Sequence, residues 1–208
     1  MTKQSLAIAS FAAMTARSGC ALTTDRIDIQ YDQLQGVGPV QGSNGVSVNV
    51  QVTDQRQDKS KVSAKKNGYG MEMAPILATE DVSVIVRRAV EQELRARGFQ
   101  VASDAALIKI TADLTRFYND FKMGFFAGDA VAELNMSVTM KAKNGDLLYS
   151  RQVIVQGVEQ NVQLASGDNA RIALNRALQN GVKVLFEDQA FLSALVASPV
   201  KKLTSVQP

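Results

Sequence analysis

The sequence has 208 residues, of which 46% are hydrophobic and 21% are charged, and these proportions are typical of one globular domain with a buried core. It contains no histidine and a single cysteine, which excludes imidazole metal ligands, Ser-His or Cys-His catalytic pairs and an internal disulfide. The net charge is +3, and +3 minus the two charges of Lys3 and Arg17 leaves +1, which is too small to indicate nucleic-acid binding.

Residues 1–19 have the pattern of a secretory signal peptide. Lys3 precedes an apolar stretch, residues 6–16, which is shorter than the roughly 20 apolar residues needed to cross a bilayer. Two small residues directly precede Cys20, as in bacterial lipoprotein signals, although Arg17 occupies a position that is aliphatic in such signals. We predict that Cys20 receives a lipid, and the alternative is a free, buried cysteine near the start of the chain.

The next part of the chain is predicted to contain an arm, a strand and a small hairpin. Residues 20–45 are rich in Gly, Pro and Gln, which predicts a tether or arm with one edge strand at 27–31. Four valines alternate with polar residues over 46–54, the pattern of a half-buried strand. The Asn-Gly pair at 67–68 favours a hairpin with a type I′ turn, which Pro75 is expected to close.

Residues 79–98 form the first predicted helix, in which Thr79 is expected to be the N-cap and Gly98 to end the last turn. Strands are predicted to follow at 99–101 and 107–118. The apolar stripe of the helix, expected to face the core, consists of Val82, Ile85, Val86, Ala89, Val90 and Leu94.

A long hairpin and two helices are predicted for the remainder of the chain. The Asn-Gly pair at 144–145 joins two alternating segments, 131–143 and 146–157, which is a strong hairpin signal. Apolar residues at helical spacing predict a second long helix from about 168 to 187, and Asp188 is expected to cap a short third helix.

This order of elements favours an α+β fold, built as a two-layer sandwich in which a mostly antiparallel sheet carries two long helices on one face. The predicted organisation has four parts. They are a signal peptide (1–19), a lipidated tether or arm (20–45), a single α+β domain (46–198) and a frayed C-terminal tail (199–208).

Four segments carry a resemblance to a known family: VTDQR (52–56), KKNGYGMEMAPI (65–76), LRARGFQV (94–101) and FKMGFFAGDAVAELNMSV (121–138). In this order they resemble the YajG-like lipoprotein family over most of the chain beyond residue 45. The resemblance implies an outer-membrane lipoprotein of a Gram-negative bacterium that faces the periplasm, and it brings no catalytic residues. An Asp directly after the lipidated cysteine would signal retention, and this sequence has Ala21 in that position. This is similar to lipoproteins that are sorted to the outer membrane.

Two polar clusters are candidate binding features, and each has a structural alternative. Asp54 and Arg56 leave the first strong strand together, either as contacts for a ligand carboxylate or sugar or as a structural ion pair. A basic cluster around the small hairpin either binds anionic headgroups or peptidoglycan or keeps the hairpin from edge-to-edge pairing. Its members are Lys59, Lys61, Lys65 and Lys66.

Five of the twelve aromatic residues fall within ten positions: Phe117, Tyr118, Phe121, Phe125 and Phe126. Strand alternation cannot bury all five on one face, so they either close the core at one end of the sheet or project partly outward. We predict a partner-binding surface formed by Tyr118, Phe121, Phe125 and Phe126.

Taken together, the sequence predicts a non-enzymatic outer-membrane lipoprotein whose domain is a periplasmic binding or assembly module for an envelope protein or peptidoglycan. No cofactor, metal or nucleic acid is expected, and a homo-oligomer is an open alternative. The alternative function is a periplasmic carrier or auxiliary subunit that holds a lipid or other apolar ligand between helices and sheet. Its cavity would be lined by Met71, Met73, Met136 and Met140.

Overall fold

The computed structural model describes residues 22–102, 106–124 and 127–197, which contain three helices and two sheets. The chain is α+β, as predicted, but its strands form two sheets in place of one. The elements in chain order are β1 (Asp25–Ile27), β2 (Ser47–Asp54), β3 (Ser63–Lys66), β4 (Glu72–Ala78), α1 (Val82–Ala96), β5 (Gln100–Val101), β6 (Ile108–Met123), β7 (Gly128–Ala142), β8 (Leu147–Val162), α2 (Gly167–Phe186) and α3 (Gln189–Val196).

The larger sheet has the order β5-β2-β6-β7-β8, and the smaller sheet has the order β1-β4-β3. Strand β2 pairs in parallel with β5 and β6, and β1 pairs in parallel with β4. The β3–β4, β6–β7 and β7–β8 pairs are antiparallel. Because parallel and antiparallel pairs are equally numerous in the described part, a mostly antiparallel sheet is not confirmed. Two long helices on one face are not confirmed either, since α2 contacts strands of both sheets.

Helix α1 begins later than the sequence predicts. The backbone N–H of Thr79 donates to the carbonyl of Ile27 at 3.0 Å, so Thr79 still belongs to the strand pairing with β1. Asp81 is the N-cap in its place, and its carboxylate accepts from the N–H of Ser83 at 2.8 Å. The six residues of the predicted stripe are all buried, and Gly98 follows the helix in a left-handed conformation with φ of 84°.

The β3–β4 hairpin is present, but its turn differs from the predicted type I′ turn. Five residues separate the two strands, and the side-chain oxygen of Asn67 accepts from the N–H groups of Tyr69 and Met71 at 3.0 Å each. The positive φ falls on Gly70, with a value of 80°. Pro75 does not close the hairpin, because it lies inside β4 opposite Ala64.

The β7–β8 hairpin, α2 and α3 are confirmed close to their predicted bounds, and α2 lies unusually close to β8. A Cβ atom built on Gly157 of β8 would lie 2.2 Å from the carbonyl oxygen of Ala173 and 2.2 Å from the amide nitrogen of Ala177. The backbones of strand and helix therefore meet at this glycine, and only a residue without a side chain fits.

We expect Gly157→Ala to lower the free energy of unfolding by about 3 kcal/mol, the upper end of the range for overpacked cores, because the helix must move away. Chemical denaturation followed by circular dichroism measures this loss. Gly38→Ala is the matched control, since a Cβ atom there meets nothing within 4 Å and should leave stability nearly unchanged. Equal stability of the two variants would contradict the close approach of α2 and β8.

Candidate functional site

The segment before β2, which connects the predicted lipid site to the domain, is bound to α1 through a buried carboxylate. Glu93 is 0% exposed, and its Oε1 accepts from the hydroxyl of Tyr31 at 2.7 Å and the N–H of Leu34 at 2.8 Å. Arg97, one turn later, donates from Nη1 to Oε2 of Glu93. The guanidinium of Arg97 also lies 4.5 Å from the ring centroid of Phe186. We call Tyr31, Leu34, Glu93 and Arg97 the arm clamp.

The pKa of Tyr31 agrees with its role as a hydrogen-bond donor in the arm clamp. Burial, followed by the hydrogen bond to Glu93, raises the pKa of Tyr31 above its ordinary value, so its hydroxyl keeps the proton that it donates. The sequence signal that could have revealed the clamp is Glu93 itself, a charged residue on the apolar stripe between Val90 and Leu94. Its partner cation follows four residues later, at helical spacing.

A second contact fixes the chain where β1 begins. The Oδ2 atom of Asp25 accepts from the N–H of Gly167 at 2.9 Å, at the N-terminus of α2, where negative charge is favourable. The Oδ1 atom of the same carboxylate lies 2.8 Å from Nζ of Lys65. The predicted tether or arm is therefore attached to the domain from Asp25 onward. Cys20 and the predicted signal peptide (1–19) lie outside the described residues, as does the predicted tail (199–208).

The basic cluster does not present four unpaired cations. Lys61 lies 2.5 Å from Glu72, Lys65 pairs with Asp25 as described above, and Lys66 pairs with Asp120. Lys59 is exposed. Three of the four lysines are thus paired with carboxylates, and this pairing removes most of the charge that the anion-binding interpretation requires.

The aromatic residues divide between the core and the surface. Phe117 and Phe121 are buried, at 0% and 3% exposure, so Phe121 belongs to the core and not to an exposed docking surface. Tyr118 is half-buried, and its hydroxyl donates to Glu72 at 3.4 Å. Burial, followed by the nearby carboxylates Glu72 and Asp120, raises the pKa of Tyr118. Phe125 and Phe126 lie outside the described residues.

Asp54 and Arg56 form a structural ion pair. Arg56 is 7% exposed and donates from Nε and Nη2 to Asp54 at 2.8–3.1 Å, while its Nη1 donates to the carbonyls of Lys61 and Phe117 at 3.2 Å each. Burial alone would raise the pKa of the Asp54 carboxyl, but the hydrogen bonds from Arg56 outweigh this effect and lower it. The guanidinium thus joins the exit of β2 to β6 and the segment before β3, and these contacts use most of its N–H donors.

The residues proposed to line a carrier cavity do not come together. Met136 and Met140 are buried in the core at 2% and 0% exposure, whereas Met71 and Met73 are 59% and 40% exposed on the β3–β4 hairpin. A cleft of about 480 Å³ lies beside Arg56, and its lining is mostly polar. Within the described ranges, no cluster of Cys, Asp or Glu could hold a metal ion, and no helix is long and apolar enough to cross a membrane.

The outward face of the larger sheet carries a band of polar, mostly uncharged side chains. The pairing of β2, β6, β7 and β8 places two rows side by side, one through Thr139 and one through Ser137. The eight residues are exposed or half-buried, and Asp113 is the single charged residue among them. The band consists of Gln51, Thr111, Thr139 and Ser150 in the first row and Thr53, Asp113, Ser137 and Gln152 in the second. We call these eight residues the polar band.

Comparisons with known proteins give one family and several solved structures. A family model described as an uncharacterized lipoprotein matches residues 36–195, while no curated protein matches the sequence. A crystal structure from Xanthomonas campestris has 13% identity and a TM-score of 0.53, and the match covers 86% of this chain and 99% of that one.

Two further solved structures are more distant. A PelC dodecamer from Paraburkholderia phytofirmans has 14% identity and a TM-score of 0.34, with 69% of this chain and 91% of that chain covered. A minor lipoprotein from Acinetobacter baumannii has 9% identity and a TM-score of 0.37, with 66% and 87% covered. The Xanthomonas structure therefore shows a shared fold.

We expect Glu93→Gln to lower the free energy of unfolding by about 3 kcal/mol, because it leaves the Arg97 guanidinium buried without a counter-charge. It should also increase amide hydrogen exchange at Leu34, whose N–H donates to this carboxylate. Glu91→Gln on the same helix is the matched control, since Glu91 pairs with the more exposed Arg87 and Arg95. Similar losses in both variants would argue against the arm clamp.

Proposed function

We propose a function from the premise that this chain belongs to the uncharacterized lipoprotein family: it is a non-enzymatic envelope protein held at a membrane by a lipid on Cys20. The membrane is the outer membrane of a Gram-negative bacterium, and the folded domain faces the periplasm. The domain acts as a binding or assembly module for another envelope protein or for peptidoglycan.

The observation that carries this proposal is the fixed position of the chain after Cys20. Asp25 is bound to α2 and β3, and Tyr31 and Leu34 are bound to α1. Four residues separate Cys20 from Asp25, and the five Cα–Cα steps between them span at most about 18 Å when extended. A lipid on Cys20 would thus hold the domain against the membrane surface, as a module that acts at the membrane requires.

The polar band is the surface that we propose for contact with a protein partner. It is broad and depleted of charge, and loss of charged residues distinguishes the centre of an interface from the ordinary protein surface. Hydroxyl and amide groups on it can donate and accept hydrogen bonds. This surface replaces the predicted aromatic surface as the proposed contact, because Phe121 is buried and the hydroxyl of Tyr118 already has a partner.

The carrier function finds less support than the binding module. An apolar ligand needs a concave, largely apolar pocket. The methionines that would line it are divided between the core and the exposed hairpin, and the cleft beside Arg56 is mostly polar.

The lipid anchor can be tested by intact mass. Protein purified from the native membrane should have the mass of a chain that begins at Cys20 and carries acyl chains. Cys20→Ser should lack the acyl mass and leave the membrane fraction. Arg17→Leu should increase the processed fraction, because it restores an aliphatic residue before the small residues. A native chain that keeps residues 1–19 and carries no acyl group would refute the anchor.

The partner surface can be tested by crosslinking in cells. A photoreactive residue at Thr139, in the middle of the polar band, should give a defined adduct with one envelope protein. The same residue at Lys183, which is exposed on α2, is the control and should give none. A charge introduced by Ser137→Lys should remove the Thr139 adduct without changing membrane attachment. Equal adducts from Thr139 and Lys183, or none from either, would contradict this surface.

A further inference from the structure

Exposed apolar side chains are concentrated at one end of the molecule. Seven large hydrophobic residues are exposed among the described residues, and Leu147 and Ile154 lie on β8 away from that end. The other five have exposures between 40% and 93%. They are Leu22, Tyr69, Met71, Met73 and Leu164, and we call them the apolar end.

Strand pairing brings Leu22 to the β3–β4 hairpin. Strand β1 runs parallel to β4, with Asp25 opposite Ile76. The chain just before β1 therefore lies on the side where β4 begins, and Met71 and Met73 occupy that side. Leu22 and the exposed hairpin residues thus lie at the same end of the smaller sheet.

Side-chain contacts place this hairpin at the end of the larger sheet where β6 and β8 finish. Lys66 of β3 pairs with Asp120, three residues before the end of β6. Strand β8 ends at Val162, opposite the first residue of β7. The hydrogen bond from the Gly167 N–H to Asp25 then brings the segment that contains Leu164 close to the start of β1.

We propose that the apolar end lies in the interface of the lipid bilayer and fixes the orientation of the domain on the membrane. This inference rests on the proposed lipid at Cys20. Leu22 is two residues after Cys20, so at most about 7 Å of extended chain joins their Cα atoms. The acyl chains would enter the bilayer beside these exposed side chains, and for this reason the occupant of the surface is lipid.

The side chains suit the membrane interface and limit how deeply they enter it. Tyr69 combines an apolar ring with a polar hydroxyl, and Met71 and Met73 are flexible apolar groups. Charged pairs lie in the same hairpin and the adjoining end of β6, Lys61 with Glu72 and Lys66 with Asp120. Charges favour the headgroup level, so the apolar tips enter the interface while the ion pairs remain at its surface.

The single cysteine of the sequence makes the test specific. Acylation blocks the thiol of Cys20, so a cysteine introduced into the lipidated full chain is its one free thiol. Met71→Cys and Leu164→Cys place this thiol at the apolar end. Leu147→Cys is the matched control, because Leu147 is 62% exposed at the opposite end of β8. Each variant is labelled with an environment-sensitive fluorophore and reconstituted into phosphatidylethanolamine–phosphatidylglycerol vesicles.

We expect the labels at positions 71 and 164 to shift their emission to the blue and to be quenched by a lipid-borne quencher. The label at position 147 should remain in water. Water-exposed labels at all three positions, in protein whose mass shows acylation, would overturn this orientation and leave the lipid anchor intact. A missing acyl mass would instead contradict the anchor itself. Shielding that appears in native membranes but not in pure lipid vesicles would identify a protein as the occupant and would also overturn the inference.

Discussion

The structure depends on one buried charge, the carboxylate of Glu93. It lies inside the domain, where an isolated charge is costly, and it is stabilised by Arg97 and by donors from the arm. The aromatic ring of Phe186 covers the guanidinium of Arg97 and connects this pair to α2. The same few atoms therefore connect the arm, α1 and α2, and together with the contacts of Asp25 they fix the position of the arm relative to the domain.

Local patterns in the sequence predict the local elements well. Alternating valines predict β2, the apolar stripe predicts α1, and the Asn-Gly pair at 144–145 predicts the β7–β8 hairpin, because each pattern is produced by neighbouring residues. The parallel pairing of β1 with β4 joins segments about fifty residues apart, and no local periodicity encodes it. For this reason the second sheet was not predicted.

The candidate sites in the structure differ from the predicted ones for a similar reason. Lysines 61, 65 and 66 look like a basic patch in sequence, but their carboxylate partners come from β1, β4 and β6, and pairing across strands cannot be read from spacing. The burial of the aromatic cluster is not predictable from alternation, because the one-residue irregularity between Leu114 and Arg116 changes which side chains of β6 face the core. The exposure of Met71 and Met73 on the hairpin also depends on the fold, so the sequence alone does not distinguish them from cavity-lining methionines.

The length of the central strands determines how far the domain extends from the membrane in the proposed orientation. Strand β8 has 16 residues, and at about 3.4 Å per residue it extends for about 50 Å. If the domain contacts the membrane through its apolar end, the length of these strands sets the distance of the far end of the domain from the lipid surface. In the proposed orientation, the hydrogen-bonded ladder would set that height, and any partner at the tip would be met at a defined distance from the membrane.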